Sequence, residues 1–254
     1  MIRNLIVIAV ASFVLTVVCF AGVAAVGGRD LIEHGWSIPA SVFDDEDNVH
    51  ISVGPGRGHD SGPDVTRELV WSGGTLLQVD VPASVTYTQG PVARVTVTGP
   101  QALVDRIVVD GGRLRFKDED NGEGPHIRFN RERIEITVVA PDVKKFVLNG
   151  SPDLKFAAYD QPDLSIEING SGEVEGAGKT QALSLSIAGS GDAGLGALAA
   201  QDASISIAGS GNAEVAAKGA VQVDIAGSGD VVLTTKPASL SSNIDGSGDL
   251  HLPE

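Results

Sequence analysis

Between Asp163 and Val215, hydrophobic and polar positions alternate with a period of two on both sides of a recurring tetrapeptide. The tetrapeptide occurs as Gly150-Ser-Pro-Asp153, Gly170-Ser-Gly-Glu173, Gly189-Ser-Gly-Asp192, Gly209-Ser-Gly-Asn212, Gly227-Ser-Gly-Asp230 and Gly246-Ser-Gly-Asp249. Its first glycines are separated by 20, 19, 20, 18 and 19 residues. Six, four and two positions before the glycine stand Leu164, Ile166 and Ile168, then Leu183, Leu185 and Ile187. The next two coils place Ala203, Ile205 and Ile207, then Val221, Val223 and Ile225 in the same positions. Four and six positions after it stand Leu154 and Phe156, Ala193 and Leu195, Ala213 and Val215, Val231 and Leu233, and Leu250 and Leu252. A period of two predicts strands with one buried face, and a fixed repeat near 19 residues predicts a solenoid.

The expected fold is therefore all-β: a right-handed parallel β-helix, or β-solenoid, with GSGD-type coils of about 19 residues. Stacking like residues about 4.8 Å apart would build aliphatic ladders, each buried side chain contributing roughly 1.5–3 kcal/mol. Gly170, Gly172, Gly189, Gly191, Gly209, Gly211, Gly227, Gly229, Gly246 and Gly248 are the expected turn residues. Glycine takes positive φ at little cost and lets neighbouring coils approach, and positive φ is expected at Gly191 among them. The Asp, Glu or Asn that follows is expected to bond the amides of its own corner, as in an Asx-turn.

From Glu68 to Val147 the strand signals continue less regularly: LLQVDV, SVTYT, ARVTVTG, RIVVDGGRLRFK and RIEITVVAP, separated by turn residues. Asp110-Gly111-Gly112 marks a hairpin or corner, and Asp118 to Asn130 a surface excursion. This half is expected to form the irregular first coils, or cap, of the same solenoid.

The N-terminus changes the picture. Leu5 to Val26 is a 22-residue apolar run preceded by Arg3, with no acidic residue before Asp30. It predicts either a signal anchor, being long enough to span a bilayer, or a signal peptide cleaved after Ala25 with Val23 and Ala25 as the small residues of the site. Lipidation at Cys19 is disfavoured by Val18, which stands where a small residue is wanted. Each reading exports the rest: anchored in the inner membrane facing the periplasm, or periplasmic or at the cell surface if cleaved. Residues 28–66 carry an acidic run, Asp44 to Asp47, and then VGPGRGHDSGPD, the composition of a flexible tether. The expected organisation is thus a targeting segment over 1–27, a tether over 28–66 and the solenoid over 67–254, with irregular coils to 148 and GSGD repeats from 149.

At this point the succession QVDVPASVTYTQG, RVTVTGPQALVDRIVVDGGRLRF, ITVVAPDVKKFVLNGS and the GSGD coils resembles the bacterial head GIN domain family, also called autotransporter adhesin head, over about Arg67 to Glu254. The resemblance implies an exported β-helical domain and brings no catalytic residue with it.

Composition and charge narrow the function. A net charge of −15 speaks against nucleic acid and against anionic membrane as partners of a basic surface; residues 5–26 are the expected membrane contact. The only cysteine is Cys19, so the remainder is held by packing and backbone ladders. His34, His50, His59, His126 and His251 form no metal-ligand spacing, and no GxSxG, HExxH or P-loop motif occurs. The Asp192, Asp230 and Asp249 column could draw a cation, but the period is twice that of a calcium nonapeptide repeat, so no metal and no cofactor is expected. A β-helical polysaccharide lyase would need a base beside clustered acids; beyond Tyr159 only Lys179, Lys218 and Lys236 are available, in different phases of the repeat. The chain is read as a non-enzyme.

The outward positions Ser184 and Ser186, Ser204 and Ser206, Gln222 and Asp224, and Ser241 and Asn243 make a flat polar face. It could serve polysaccharide binding, but no aromatic residue follows Tyr159 to stack on a sugar. Two functional classes follow: an adhesin-like module displayed on a membrane tether for an unknown envelope or surface partner, and a structural solenoid that self-associates through its coil ends.

Overall fold

The computed structural model of the chain describes residues 63–117 and 134–253. The expected membrane segment, the tether up to residue 62 and the excursion from Asp118 lie outside the described residues, while the last expected tether residues, Asp64 to Thr66, already belong to a strand.

Successive GSG corners sit directly on one another. Gly150, Gly170, Gly189, Gly209, Gly227 and Gly246 are register partners in one continuous parallel ladder. Strands entering the corner are β8 (Lys145–Gly150), β10 (Asp163–Gly170), the second halves of β11 (Glu173–Gly189) and β12 (Asp192–Gly209), β14 (Ala220–Gly227) and β16 (Ser239–Gly246). Strands leaving it are β9 (Asp153–Asp160), the first halves of β11 and β12, β13 (Asn212–Ala217), β15 (Val231–Leu233) and β17 (Leu250–His251). Both sets are parallel, so the GSGD region is a β-solenoid with an entry face and an exit face around a shared interior.

The alternation read from the sequence is the alternation of burial. Ile168, Ile187, Ile207 and Ile225 form one interior column, each at most 1 % exposed. Ala193, Leu195, Ala213, Val215, Val231 and Leu233 line the opposite wall and are buried. The last described coil departs from the pattern: Leu250 is only partly buried and Leu252 is 54 % exposed, since no further coil among the described residues covers them.

The N-terminal half is where chain order and spatial order part. Its strands are β1 (Asp64–Leu69), β2 (Leu76–Val79), β3 (Ser84–Gln89), β4 (Arg94–Pro100), β5 (Ile107–Asp110), β6 (Arg113–Phe116) and β7 (Glu135–Ala140). The expected strands are present, and Asp110-Gly111-Gly112 closes the β5–β6 hairpin with both glycines at positive φ. The coils, however, are not stacked in sequence. The β2–β3 coil lies between the β6–β7 coil and the β8–β9 coil, pairing in parallel with both. The chain leaves β3, turns back through antiparallel β4, and returns to lay β6 and β7 on the outer side of the coil it built first.

That detour closes the N-terminal end. A short helix, α1 (Gln101–Val104), follows β4, and the Arg67 guanidinium donates to the carbonyls of Val104 and Asp105 at 3.3 and 3.2 Å. Val95, Val97, Leu103, Val104 and Ile107 are left at most 7 % exposed. Local pattern gave no warning of α1, since Gln101-Ala-Leu-Val104 carries only one turn of helix.

An aromatic cluster fills the wide first coils. Phe146 stacks on Phe156 with centroids 5.3 Å apart, and Tyr87 meets Phe146 edge-on at 5.2 Å. Both tyrosines are buried and spend their hydroxyls on backbone: Tyr87 donates to Ala140 O at 2.9 Å and Tyr159 to Val143 O at 3.0 Å.

Candidate interaction surfaces

The corner is built by two glycines with different duties. The first of each GSG tetrad adopts positive φ, between 131° and 140° from Gly170 to Gly246. A Cβ there would also fall within about 2.3 Å of the carbonyl oxygen of the preceding coil's glycine. The second glycine has no positive φ, which corrects the expectation for Gly191. What excludes a side chain at Gly191 is proximity: a Cβ would lie 2.5 Å from Ile168 Cγ2 and 2.6 Å from Gly172 O.

The acidic column is also wired differently from an Asx-turn. Asp192 Oδ1 accepts the backbone N–H of Asn212 at 3.0 Å, Asn212 Oδ1 that of Asp230 at 3.1 Å, and Asp230 Oδ1 that of Asp249 at 2.9 Å. Each side chain therefore caps the next coil rather than its own corner. A side-chain acceptor one coil below thus satisfies the backbone amides of Asn212, Asp230 and Asp249. Asn212 Nδ2 donates to Asp192 Oδ1 as well, at 3.0 Å. Among the described residues no three of His, Cys, Asp and Glu converge as a metal site would require.

A second polar ladder runs along the corner in the first coils. Asn169 Nδ2 donates to Asn149 Oδ1, Asn149 Nδ2 donates to Asp80, and the Arg113 guanidinium closes on the same carboxylate. Burial works to raise the Asp80 carboxyl; the hydrogen bonds from Asn149, Gln78 and Arg113, with the Arg113 charge, outweigh it and hold it below its ordinary value. Burial pushes the Tyr87 hydroxyl up to about 12 and the Tyr159 hydroxyl higher still, so both stay protonated hydrogen-bond donors.

The entry face shows the outward polar rows that alternation predicts. Ser184, Ser186, Ser204, Ser206, Ser241 and Asn243 are exposed in register with one another. It is flat.

The exit face is not flat. It carries an open groove of about 520 Å³ crossing β3, β9, β11, β12 and β13. Its origin lies in register. From β9 to β11 the partners step from Phe156↔Gly176 to Tyr159↔Gly178, so Ala157 and Ala158 oppose Ala177 alone. From β11 to β12 they step from Glu175↔Gly194 to Ala177↔Ala197, and from β12 to β13 from Leu195↔Val215 to Ala199↔Ala216. The corners stay aligned, and the register steps that absorb unequal coil lengths from β9 to β13 fall at this column of bulges, with one residue returned at the turn before β14. Ala158 sits at φ 55° there, an uncommon conformation for a non-glycine residue.

Small residues keep the groove open. Gly176 stands at an inward position where a Cβ would be 2.2 Å from the Phe156 ring, so the ring takes the space a side chain would have had. Ala157 and Ala197 are exposed on the groove surface. Its polar groups are Thr86, Thr88, Glu214 and the Lys155–Glu175 ion pair at 2.8 Å. The hydrogen bond and charge of Glu175 raise the Lys155 ammonium above its ordinary value. Sequence reading missed this groove, although the irregular repeat interval and the Gly/Ala-rich Glu175-Gly-Ala-Gly178 and Gly194-Leu-Gly-Ala197 mark it.

The family model described as "Putative auto-transporter adhesin, head GIN domain" matches residues 75–237, well over half of the chain. The chain belongs to the head GIN domain family. Among solved structures, a "putative adhesin" from Bacteroides fragilis shares the fold with a TM-score of 0.61 and 18% identity, over 75% of this chain and 97% of its own. A "putative lipid binding protein" from Parabacteroides distasonis matches at 22% identity and a TM-score of 0.46, over 76% of this chain and 98% of its own. A "putative adhesin" from Parabacteroides merdae matches at 15% and 0.45, over 76% and 97%. No curated protein matches the chain.

The other residues singled out from sequence are not brought together. Lys179 pairs with Asp160 at 3.0 Å on the exit face, and His251 is exposed on β17. His34, His50, His59 and His126 lie outside the described residues. No helix among the described residues is long and apolar enough to cross a membrane.

Proposed function

We propose that this head GIN domain protein is a non-enzymatic, adhesin-like interaction module, exported and displayed at the cell envelope by its N-terminal segment. The observation that carries this reading is membership of a family described by adhesion. The 22-residue apolar run after Arg3 supports export, and the acidic Gly/Pro-rich stretch that follows it supports display on a tether.

The exit-face groove is the contact surface in this proposal. It offers an extended partner exposed backbone at a bulge column, small residues that permit close approach, and a few charged groups to orient it. Ala157→Trp or Ala197→Trp fills the groove from exposed positions and leaves the interior untouched. With the full chain as bait on envelope extracts, both variants should lose the partner that the unaltered chain retains. Ser204→Trp, on the flat entry face, should keep it. Loss with Ser204→Trp and retention with the groove variants would move the contact to the entry face and overturn this assignment.

A further inference from the structure

The two ends of the solenoid are not alike. The N-terminal end is covered by β4, α1 and the β5–β6 hairpin, which leave Leu103, Val104 and Ile107 at most 7 % exposed. The C-terminal end has nothing equivalent among the described residues. Val221, Val223 and Ile225 on β14 are at most 3 % exposed, yet their neighbours one coil on, Leu240 and Ile244, are 37 % and 40 % exposed. Every residue of β16 is exposed, and its only strand partner among the described residues is β14. The far side of β16 thus presents free backbone donors and acceptors beside an open apolar interior.

Edge strands are ordinarily protected by lysine, proline or a bulge. Ser239-Leu-Ser-Ser-Asn-Ile-Asp-Gly246 has none of these and only one charge, Asp245, in a chain of net charge −15. It is also self-complementary. Placed antiparallel to itself about a two-fold axis at Ser242, its inward residues meet as Leu240 with Ile244′, Ser242 with Ser242′ and Ile244 with Leu240′ (the prime marks a second copy). Its outward residues meet as Ser241 with Asn243′ and Ser239 with Asp245′, so no like charges face each other. A one-residue slip would set inward side chains against outward ones, and a two-residue slip would oppose Leu240 to Gly246′.

We propose that β16 is a docking strand for a second copy of this chain, joining two solenoids tail to tail as a closed two-fold dimer. The strand ladder and the aliphatic columns would then run from one protomer into the other. Because the N-terminal ends are covered, the assembly stops at two and does not grow into a fibre. This inference does not depend on the adhesin reading.

The register makes the test specific. The probes are sedimentation equilibrium and native mass measurements on the full chain in mild detergent. Ser241→Lys with Asn243→Lys sets lysine against lysine across the axis twice; Ser241→Lys with Asn243→Glu sets lysine against glutamate twice. The three substitutions fall at two exposed outward positions, so the fold is retained, which equal melting temperatures of the monomers verify. The unaltered chain should be a dimer with no larger species. The double-lysine variant should raise the dimer dissociation constant roughly tenfold or more, and the lysine–glutamate variant should restore dimerisation. A monomeric unaltered chain, particles that grow with concentration, or two double variants that behave alike would overturn the proposal.

Discussion

Asp230 holds Asp249 from one coil away: its Oδ1 accepts the Asp249 backbone N–H at 2.9 Å, across 19 residues of chain. The same link joins Asp192 to Asn212 and Asn212 to Asp230. A side chain that follows the corner therefore stitches neighbouring coils, and in each link it needs only one acceptor oxygen. Asn212 meets the requirement natively. Asp230→Asn should change stability by less than about 0.5 kcal/mol, whereas Asp230→Ala should cost about 1 kcal/mol by removing the acceptor. Thermal unfolding with calcium and with chelator should give the same melting temperature. A large calcium-dependent rise that Asp230→Asn abolishes would instead make the column a metal site.

The glycines separate conformational strain from contact. Gly189→Ala meets positive φ and the Gly170 carbonyl together; Gly191→Ala meets Ile168 and the Gly172 carbonyl at ordinary φ. Both should destabilise by several kcal/mol, because a corner locked between two coils cannot relax. Gly194 is the control. A Cβ there finds its nearest neighbour at 3.8 Å, so Gly194→Ala should be neutral or stabilise by up to about 1 kcal/mol. Denaturant midpoints for the three variants check the order.

Burial at adjacent positions should decide the effect of a charge. Ile207 is 1 % exposed in the isoleucine column, and Ser206 beside it is exposed. Ile207→Asp should cost several kcal/mol and Ser206→Asp almost nothing. Equal thermal shifts would mean that the strand phase is wrong.

Acid should act through Asp80. Its folded-state carboxyl lies below the ordinary value of 3.8, so its contribution is full above that pH. As pH falls below 3.8 toward the depressed folded value, the unfolded carboxyl protonates first and the contribution disappears. Asp80→Asn should therefore be less stable than the unaltered chain at pH 7, and the two should converge as pH falls through this window. Urea midpoints across pH 2 to 7 test the convergence, and a gap that widens in acid would contradict it.

Export predicts a topology. Protease added to spheroplasts should digest the solenoid, since the proposed export through the apolar run after Arg3 would leave residues 28–254 outside the inner membrane. Protection of the solenoid would reverse that orientation.

Most of the coil stack was legible without coordinates because a strand's side chains alternate strictly. Leu183, Leu185 and Ile187 could point only to one face, and the recurrence of Gly-Ser-Gly told where each coil turns. The groove was less legible. Its signals, an uneven repeat interval and two Gly/Ala-rich runs, read as looseness until register showed that every corner stays aligned and the extra residues of β9 and β12 bulge at Ala157 and Gly196.

The local periodicity of this chain determined its strands, their buried faces, the corners and the parallel stacking of equal coils, because each of those follows from residues within one repeat of each other. Tertiary structure alone decided three things. It placed the β2–β3 coil between β6–β7 and β8–β9, since nothing in either strand pair states which neighbour it will meet. It carried the Asp230 hydrogen bond to Asp249 instead of to its own turn, because the stacking of coils sets the Asp249 amide within reach of the carboxylate one coil before it. It also left Leu240 and Ile244 open where Val221 and Ile225 are covered, since burial along a stack depends on whether another coil follows.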